Sequence, residues 1–331
     1  MSDAGLCTRE SRAATLQRVV RDSFSSQFGW LVVVALLAVY VVWGSTYLAI
    51  RVALEGFPPF MMAGVRFLVA GGVLFLVLWL RGAPAPRPRQ WGAAALVGGL
   101  LLLGGNGGVV VAEQWVASGL AALGVATVAL WSALFAGLWG QWPRRLEWLG
   151  LALGFAGVGL LNLEGNLRAS PAGAVALLVA TVSWALGSMW SRHVDLPAGL
   201  MAPAAEMLAG GSLLVVASVL VGEKVPHAVG SRPLVALAYL IVFGSWVGFS
   251  AYVFLLRRVR PAVATSYAYV NPVIAMALGV ALAGERVTPT EWAAMPVILT
   301  GVALVVIAHS RAAERLGPAA AARPKAKADE A

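Results

Sequence analysis

The chain has 331 residues, 60% of them hydrophobic and 12% charged, with a mean hydropathy of +0.82. A soluble domain carries roughly 25% charged residues, so this chain has too little polar surface to cover itself in water and reads as an integral membrane protein. Its net charge of +9 would suit nucleic acid, but the basic residues fall in short connectors between apolar stretches, where they set orientation in a bilayer. No nucleic-acid partner is expected.

A helix needs about 20 mostly apolar residues to cross the hydrocarbon core, and ten such segments are predicted. The first half holds Trp30 to Ile50, Phe60 to Leu80, Trp91 to Val111, Gly119 to Gln141 and Leu146 to Leu163. The second holds Ala172 to Trp190, Leu200 to Val221, Pro233 to Leu256, Ala262 to Ala283 and Glu291 to Ala308. This divides the chain into an N-terminal tail (1–29), two five-helix units (30–163 and 172–308) and a basic C-terminal tail (309–331).

Arg9, Arg12, Arg18 and Arg21 precede the first segment, but its apolar run is longer than a signal core and continues through Trp43, Gly44 and Ser45 to Tyr47, so a retained helix is expected. The second segment contains Arg66, and the seventh contains Glu206. At 1.5 Å per residue each lies about 9 Å from a helix end. Charge at such depth is costly. Arg66 reads either as a structural group bonding carbonyls or as a substrate or gate contact; Glu206 reads either as an interfacial side chain or as a proton carrier. The third segment places Asn106 within Gly104-Gly105-Asn106-Gly107-Gly108, where the glycines allow close backbone approach or tight helix packing, and ends at Glu113.

Tryptophans of membrane proteins favour the interfaces. Trp43, Trp131, Trp184 and Trp246 instead fall inside segments one, four, six and eight, and Tyr267 and Tyr269 lie on nine. Such rings need a protein or cavity environment. Ser45, Ser132, Ser188, Ser245 and Asn271 add neutral polar groups at similar depth, each also explicable as a helix-helix hydrogen bond. Pro272 removes a backbone hydrogen bond from segment nine and is expected to act as a hinge. Trp148 and Trp292, near helix ends, are expected to anchor the bundle at the interfaces.

The two halves echo each other. Ala70-Gly71-Gly72 is matched by Ala209-Gly210-Gly211, and Glu147-Trp148 with Gly157-Val158 by Glu291-Trp292 with Gly301-Val302. Each half has an odd number of predicted crossings, so the second runs inverted with respect to the first, an arrangement that places a substrate site near the midplane. Of the 24 lysines and arginines, the connectors on one side carry only Arg51, Arg168, Lys224, Arg232 and Arg286. The positive-inside rule makes the opposite side, with both termini, cytoplasmic.

The stretches Val42-Trp43-Gly44-Ser45-Thr46-Tyr47, Arg66-Phe67-Leu68-Val69-Ala70-Gly71, Ser183-Trp184-Ala185-Leu186-Gly187-Ser188, Tyr269-Val270-Asn271-Pro272-Val273 and Gly284-Glu285-Arg286 resemble the paired EamA domains of the drug/metabolite transporter superfamily. The resemblance implies an all-α bundle of ten transmembrane helices in two inverted repeats in a bacterial inner membrane. It also implies export of small metabolites or drugs by alternating access, and a cavity lined by helices one, three, four, six, eight and nine. Where the family often has proline in helix four, this sequence has Ala129-Leu130-Trp131, which implies a straighter helix.

The substrate-binding candidates are Trp43, Ser45, Asn106, Trp131, Trp184, Ser188, Trp246, Tyr269 and Asn271. Arg66, Glu113 and Glu206 are the coupling or gating candidates, with protons as a candidate coupling ion. No cofactor is expected. His193, His227 and His309 lack metal-ligand spacing, and Cys7 is alone. A channel and a membrane-embedded enzyme are the competing functions, but no filter-like loop or Walker loop is present to support a pore or nucleotide hydrolysis.

Overall fold

The structure, a computed structural model, describes residues 30–315 apart from 141, 143–144, 164–169, 225, 260–263 and 266. The N-terminal tail, the side chain of Tyr269 and the C-terminal tail beyond Arg315 therefore lie outside the described residues. Among these residues the chain is helical throughout, without strands. The principal helices are α1 (Trp30–Ala53), α2 (Pro59–Leu80), α3 (Pro88–Ala112), α4 (Ser118–Phe135) and α5 (Arg145–Leu163). They are followed by α6 (Pro171–Trp190), α7 (Met201–Leu220), α8 (Ser231–Arg258), α9 (Tyr267–Ala283) and α10 (Pro289–Arg315). Seven of them, α1 to α4 and α6 to α8, are long and apolar enough to cross a membrane; α5 and α9 contain the shorter apolar stretches Trp148–Gly157 and Val270–Ala283.

Local chemistry sets the ends. Proline opens α2, α3, α6 and α10, where its missing N–H costs nothing. Thr288 and Glu291 form a reciprocal cap at the start of α10: Thr288 N donates to Glu291 Oε2 (2.8 Å) and Glu291 N to Thr288 Oγ1 (3.2 Å). Gly82 and Gly222 close α2 and α7 at positive φ, letting Ala83 N reach Leu78 O and Glu223 N reach Ser218 O, each at 3.0 Å.

The helices pair in a pattern that survives exchange of the two halves. α2 packs on α7, and α5 on α10; α1 packs on α8 and α9, as α6 packs on α3 and α4. The echoed glycines lie in these seams. A Cβ at Gly71 would meet Leu208 N at 2.9 Å, one at Gly211 would meet Leu68 N at 2.9 Å, and one at Gly301 would meet Gly150 O at 2.6 Å. Backbones this close are how membrane helices gain dispersion contact without a hydrophobic driving force. Outward-facing Leu80, Val219, Leu220 and Leu282 are largely exposed, as a lipid-facing surface requires, and Trp148 and Trp292 stand exposed at helix ends as anchors would.

The helical ladder is irregular where the interior is polar. π-helical turns occupy Val39–Trp43 in α1, Gly99–Gly107 in α3 and Leu240–Phe249 in α8; such turns are rare and concentrate at functional sites. Helix four lacks the proline and is broken all the same. It is interrupted at Ala126–Thr127, where Thr127 Oγ1 donates to Gly124 O (2.7 Å) and tighter i→i+3 bonds replace the ladder. A hydroxyl competing for a carbonyl breaks the helix without proline. A turn at Thr265 likewise precedes α9, and Pro272 sits inside a continuous helix.

The α5–α10 seam supplies a stability test. Gly301→Ala should force these helices apart and lower stability by about 1–3 kcal/mol, seen as earlier thermal aggregation of the detergent-purified protein. Gly92→Ala, at a position with nothing within 4 Å of an added Cβ, should leave the transition unchanged.

Candidate functional site: a central cavity between the two halves

A small cavity of about 60 Å³ lies at the centre of the bundle. It occupies the seam between two apolar clusters, one built around Phe67, Leu101 and Tyr252 and the other around Leu123, Leu130 and Ile298. Its walls come from α1, α3, α4, α6, α8 and the start of α9, with Arg66 and Phe67 of α2 added. Helix two is not among the six lining helices that the resemblance implies, although Arg66 itself was a candidate substrate or gate contact. Its contribution arises because Arg66 points inward past Gly244, where a Cβ would lie 2.6 Å from Nη2.

One end of the cavity is floored by interlocked rings. Trp43 meets Trp184 edge-on at 5.4 Å between centroids, Tyr267 edge-on at 5.2 Å and Tyr252 at 5.0 Å. Edge-to-face contacts of this kind add to the burial energy of each ring. Polar atoms fix the cluster: Trp43 Nε1 donates to Gly244 O (3.2 Å) and Trp184 Nε1 to Tyr252 OH (3.1 Å). Ser188 Oγ donates to Trp184 O (2.7 Å) and shares a hydrogen bond with Tyr252 OH (2.7 Å). Ser188 therefore positions rings and does not line the cavity.

Two polar groups in the walls lack partners. Arg66 is 3% exposed; its Nε donates to Ser245 Oγ (2.8 Å) and its guanidinium lies over the Phe67 ring at 4.7 Å, but Nη1 has no hydrogen-bond partner. Asn106 Oδ1 is likewise buried and unpartnered. The glycines around Asn106 serve helix packing: a Cβ at Gly105 would press on Trp184 at 2.6 Å, and one at Gly108 would meet Ala176 O at 2.8 Å. Thr46, Tyr47 and Thr181 complete the polar lining.

Further along α1, past Tyr47, the opposite end of the bundle is tied by charge. Glu285 pairs with Arg51 at 3.1 Å and accepts from Ser118 N (3.0 Å), Ser118 Oγ (2.8 Å) and Gly119 N (3.4 Å) at the start of α4. A carboxylate suits a helix N-terminus, so Glu285 joins α1, α4 and the end of α9. Glu113 ends α3 beside this cluster, 4% exposed, with neither oxygen hydrogen-bonded, and it interacts electrostatically with Glu285, Arg51 and Tyr47.

The remaining candidates point elsewhere. Ser45 Oγ donates to Val42 O (2.7 Å) and bonds Tyr239 OH (2.6 Å) in an outward groove. Trp131 packs on Phe135 and Phe155, between α4 and α5. Trp246 Nε1 donates to Ala70 O (2.7 Å), fastening α8 to α2. Asn271, with its amide nitrogen turned toward the carbonyls, donates to Tyr40 O (3.1 Å) and Tyr267 O (3.3 Å), which ties α9 to α1. Glu206 is buried in α7 with Oε2 unpartnered, away from the residues lining the cavity. Thr46, Tyr47, Thr181 and Tyr252 were not among the site candidates, and Tyr267 was grouped with the deep aromatic rings without being chosen. The signal was helical spacing: Thr46, Tyr47 and Ile50 follow Trp43 at three, four and seven residues, and Ala180 and Thr181 precede Trp184 at four and three.

The EamA-like transporter family model matches the chain twice, over residues 30–163 and 171–307. The chain is 50% identical over 274 residues to the Uncharacterized inner membrane transporter YedA of Escherichia coli (strain K12), spanning 82% of this chain and 90% of that protein. It is 27% identical over 284 residues to the Probable amino-acid metabolite efflux pump of Salmonella typhimurium, spanning 80% and 91%. A solved crystal structure, 23% identical, superposes with a TM-score of 0.62 over 85% of this chain and 99% of that one, and so shares its fold. With the family model matching both halves, and a relative half identical over most of its length, the chain belongs to the EamA-like transporter family and is a membrane transporter.

Proposed function

We propose that this transporter is a secondary exporter of small amphipathic metabolites or drugs, working by alternating access around the central cavity. The carrying observation is a cavity drawn from both halves, floored at one end by Trp43, Trp184, Tyr252 and Tyr267 and tied at the other by Arg51 and Glu285. A solute held there is released by parting one closure while the other holds. The exchange-symmetric helix pairing supports ten crossings in two inverted five-helix repeats, and the connector charges support a bacterial inner membrane with both termini cytoplasmic. Proton coupling, if it drives export, falls to Glu113 or Glu206, whose buried carboxylates have unpartnered oxygens. Thr127 and Thr265, at the interruptions of helices four and nine, join Pro272 as the hinge positions.

Reporter fusions after Gly56 and Gly284 should register as external and those after Pro86 and Arg258 as internal. A reversed pattern contradicts the topology. In proteoliposomes flux should saturate and respond to counter-substrate, as a carrier requires and a pore does not. Trp184→Ala should reduce transport by roughly tenfold or more, since it removes cavity wall and floor together, whereas Trp148→Ala should leave it within about twofold. Glu113→Gln should abolish the response to a pH gradient while the protein stays in the membrane; an undiminished response in this variant and in Glu206→Gln removes both as proton carriers.

A further inference from the structure

The described lining of the cavity contains one charged group, the guanidinium of Arg66, and no carboxylate. Among the described lining residues the side-chain acceptors are all neutral: the Asn106 amide, the hydroxyls of Thr46, Tyr47, Thr181 and Tyr267, and the aromatic rings. Glu113 lies outside the lining, in electrostatic contact with Arg51 and Glu285. Arg66 is almost wholly buried, held in place through Nε by Ser245 and stacked on Phe67, and it leaves Nη1 unpartnered. A buried cation without a counter-ion is costly. It is retained here with one fork atom free and fixed in direction, the geometry in which arginine grips a carboxylate. Around it stand Trp43, Trp184, Tyr267 and Phe249, walls for a flat apolar body.

We infer that the cavity selects monoanionic organic acids with a planar aromatic body, the solute carboxylate being bound by Arg66, over zwitterions and cations of the same shape. A monoanion neutralises the single buried charge. A zwitterion brings an ammonium group for which the lining offers only neutral acceptors, and a cation adds a second positive charge. This rests on the central cavity being the transport site.

Calorimetry on the purified full-length chain tests it with three solutes that share an indole ring: indole-3-acetate as the anion, tryptophan as the zwitterion and tryptamine as the cation. Indole-3-acetate should bind roughly tenfold or more tighter than tryptophan, with tryptamine weakest, the range that a charged hydrogen bond supplies. Arg66→Gln should weaken the acid by roughly 10- to 100-fold and leave tryptamine unchanged or tighter. The ranking in the unaltered protein stands as a test of its own should that variant not fold. Tryptophan binding as tightly as indole-3-acetate overturns the inference, as does an Arg66→Gln variant that loses all three equally or a protein that binds no indole-3-acetate. Thr181→Phe, which fills the cavity, separates the two layers of the account. If it leaves indole-3-acetate binding intact, the cavity assignment fails and the inference with it. If it abolishes binding while tryptophan ranks first, the cavity stands and the charge selection alone is wrong.

Discussion

Within a bilayer no water is at hand to satisfy a backbone N–H or C=O, so each must find its partner inside the chain. That constraint explains why the described residues are helical throughout, and it also explains where the helices depart from ideality. The π-helical turns of α1, α3 and α8 and the interruption of α4 all border the cavity or its floor, where side chains take over the backbone's bonds. Trp43 donates to Gly244 O in the π-helical turn of α8, and Thr127 donates to Gly124 O at the interruption of α4. Irregular backbone is tolerated at such depth only where it is buried in protein or lines a cavity, and here it marks the walls of one.

The same constraint decides what each polar side chain does. Most are spent on structure: Ser45, Ser188, Trp246 and Asn271 hold helices or rings together. Of the buried polar atoms left without a partner among the described residues, Arg66 Nη1 and Asn106 Oδ1 belong to residues that line the cavity, whereas those of Glu113, Ser132, Glu206 and Ser218 lie outside it. An unpartnered buried polar group costs roughly 1–3 kcal/mol, a cost that the proposed solute would offset at Arg66 and Asn106. The ion pair of Arg51 with Glu285 has a different character. Its guanidinium end is 43% exposed and its carboxylate end only 7%, because Glu285 is held against the start of α4 by Ser118 and Gly119.

The architecture was legible in the sequence because hydropathy sets depth and the echoed Ala-Gly-Gly and Glu-Trp motifs set correspondence between halves. Depth is only one of two coordinates. Trp43, Trp131, Trp184 and Trp246 all fall at mid-helix, yet only Trp43 and Trp184 line the cavity, because rotation about the helix axis is fixed by packing against neighbours. The π-helical turns shift that rotation further. Spacing from a secure anchor recovers much of what was missed: Leu102 and Val109 flank Asn106 at four and three residues and line the same wall. Helix four is interrupted without proline, because a hydroxyl competing for a carbonyl also breaks a ladder. The sequence Val125-Ala126-Thr127, repeated as Val263-Ala264-Thr265, was the available signal.

The central claim, that one cavity between the halves holds the transported solute, is most directly tested by cysteine alkylation. In a Cys7→Ser background, a cysteine at Val125, on the cavity wall, should react with a small maleimide, and the transported solute should slow that reaction in proportion to occupancy. A cysteine at the exposed, outward-facing Val175 should react at a rate the solute leaves untouched. Protection at Val125 alone is the predicted result; protection at Val175, or at neither position under conditions where transport is saturated, would contradict it.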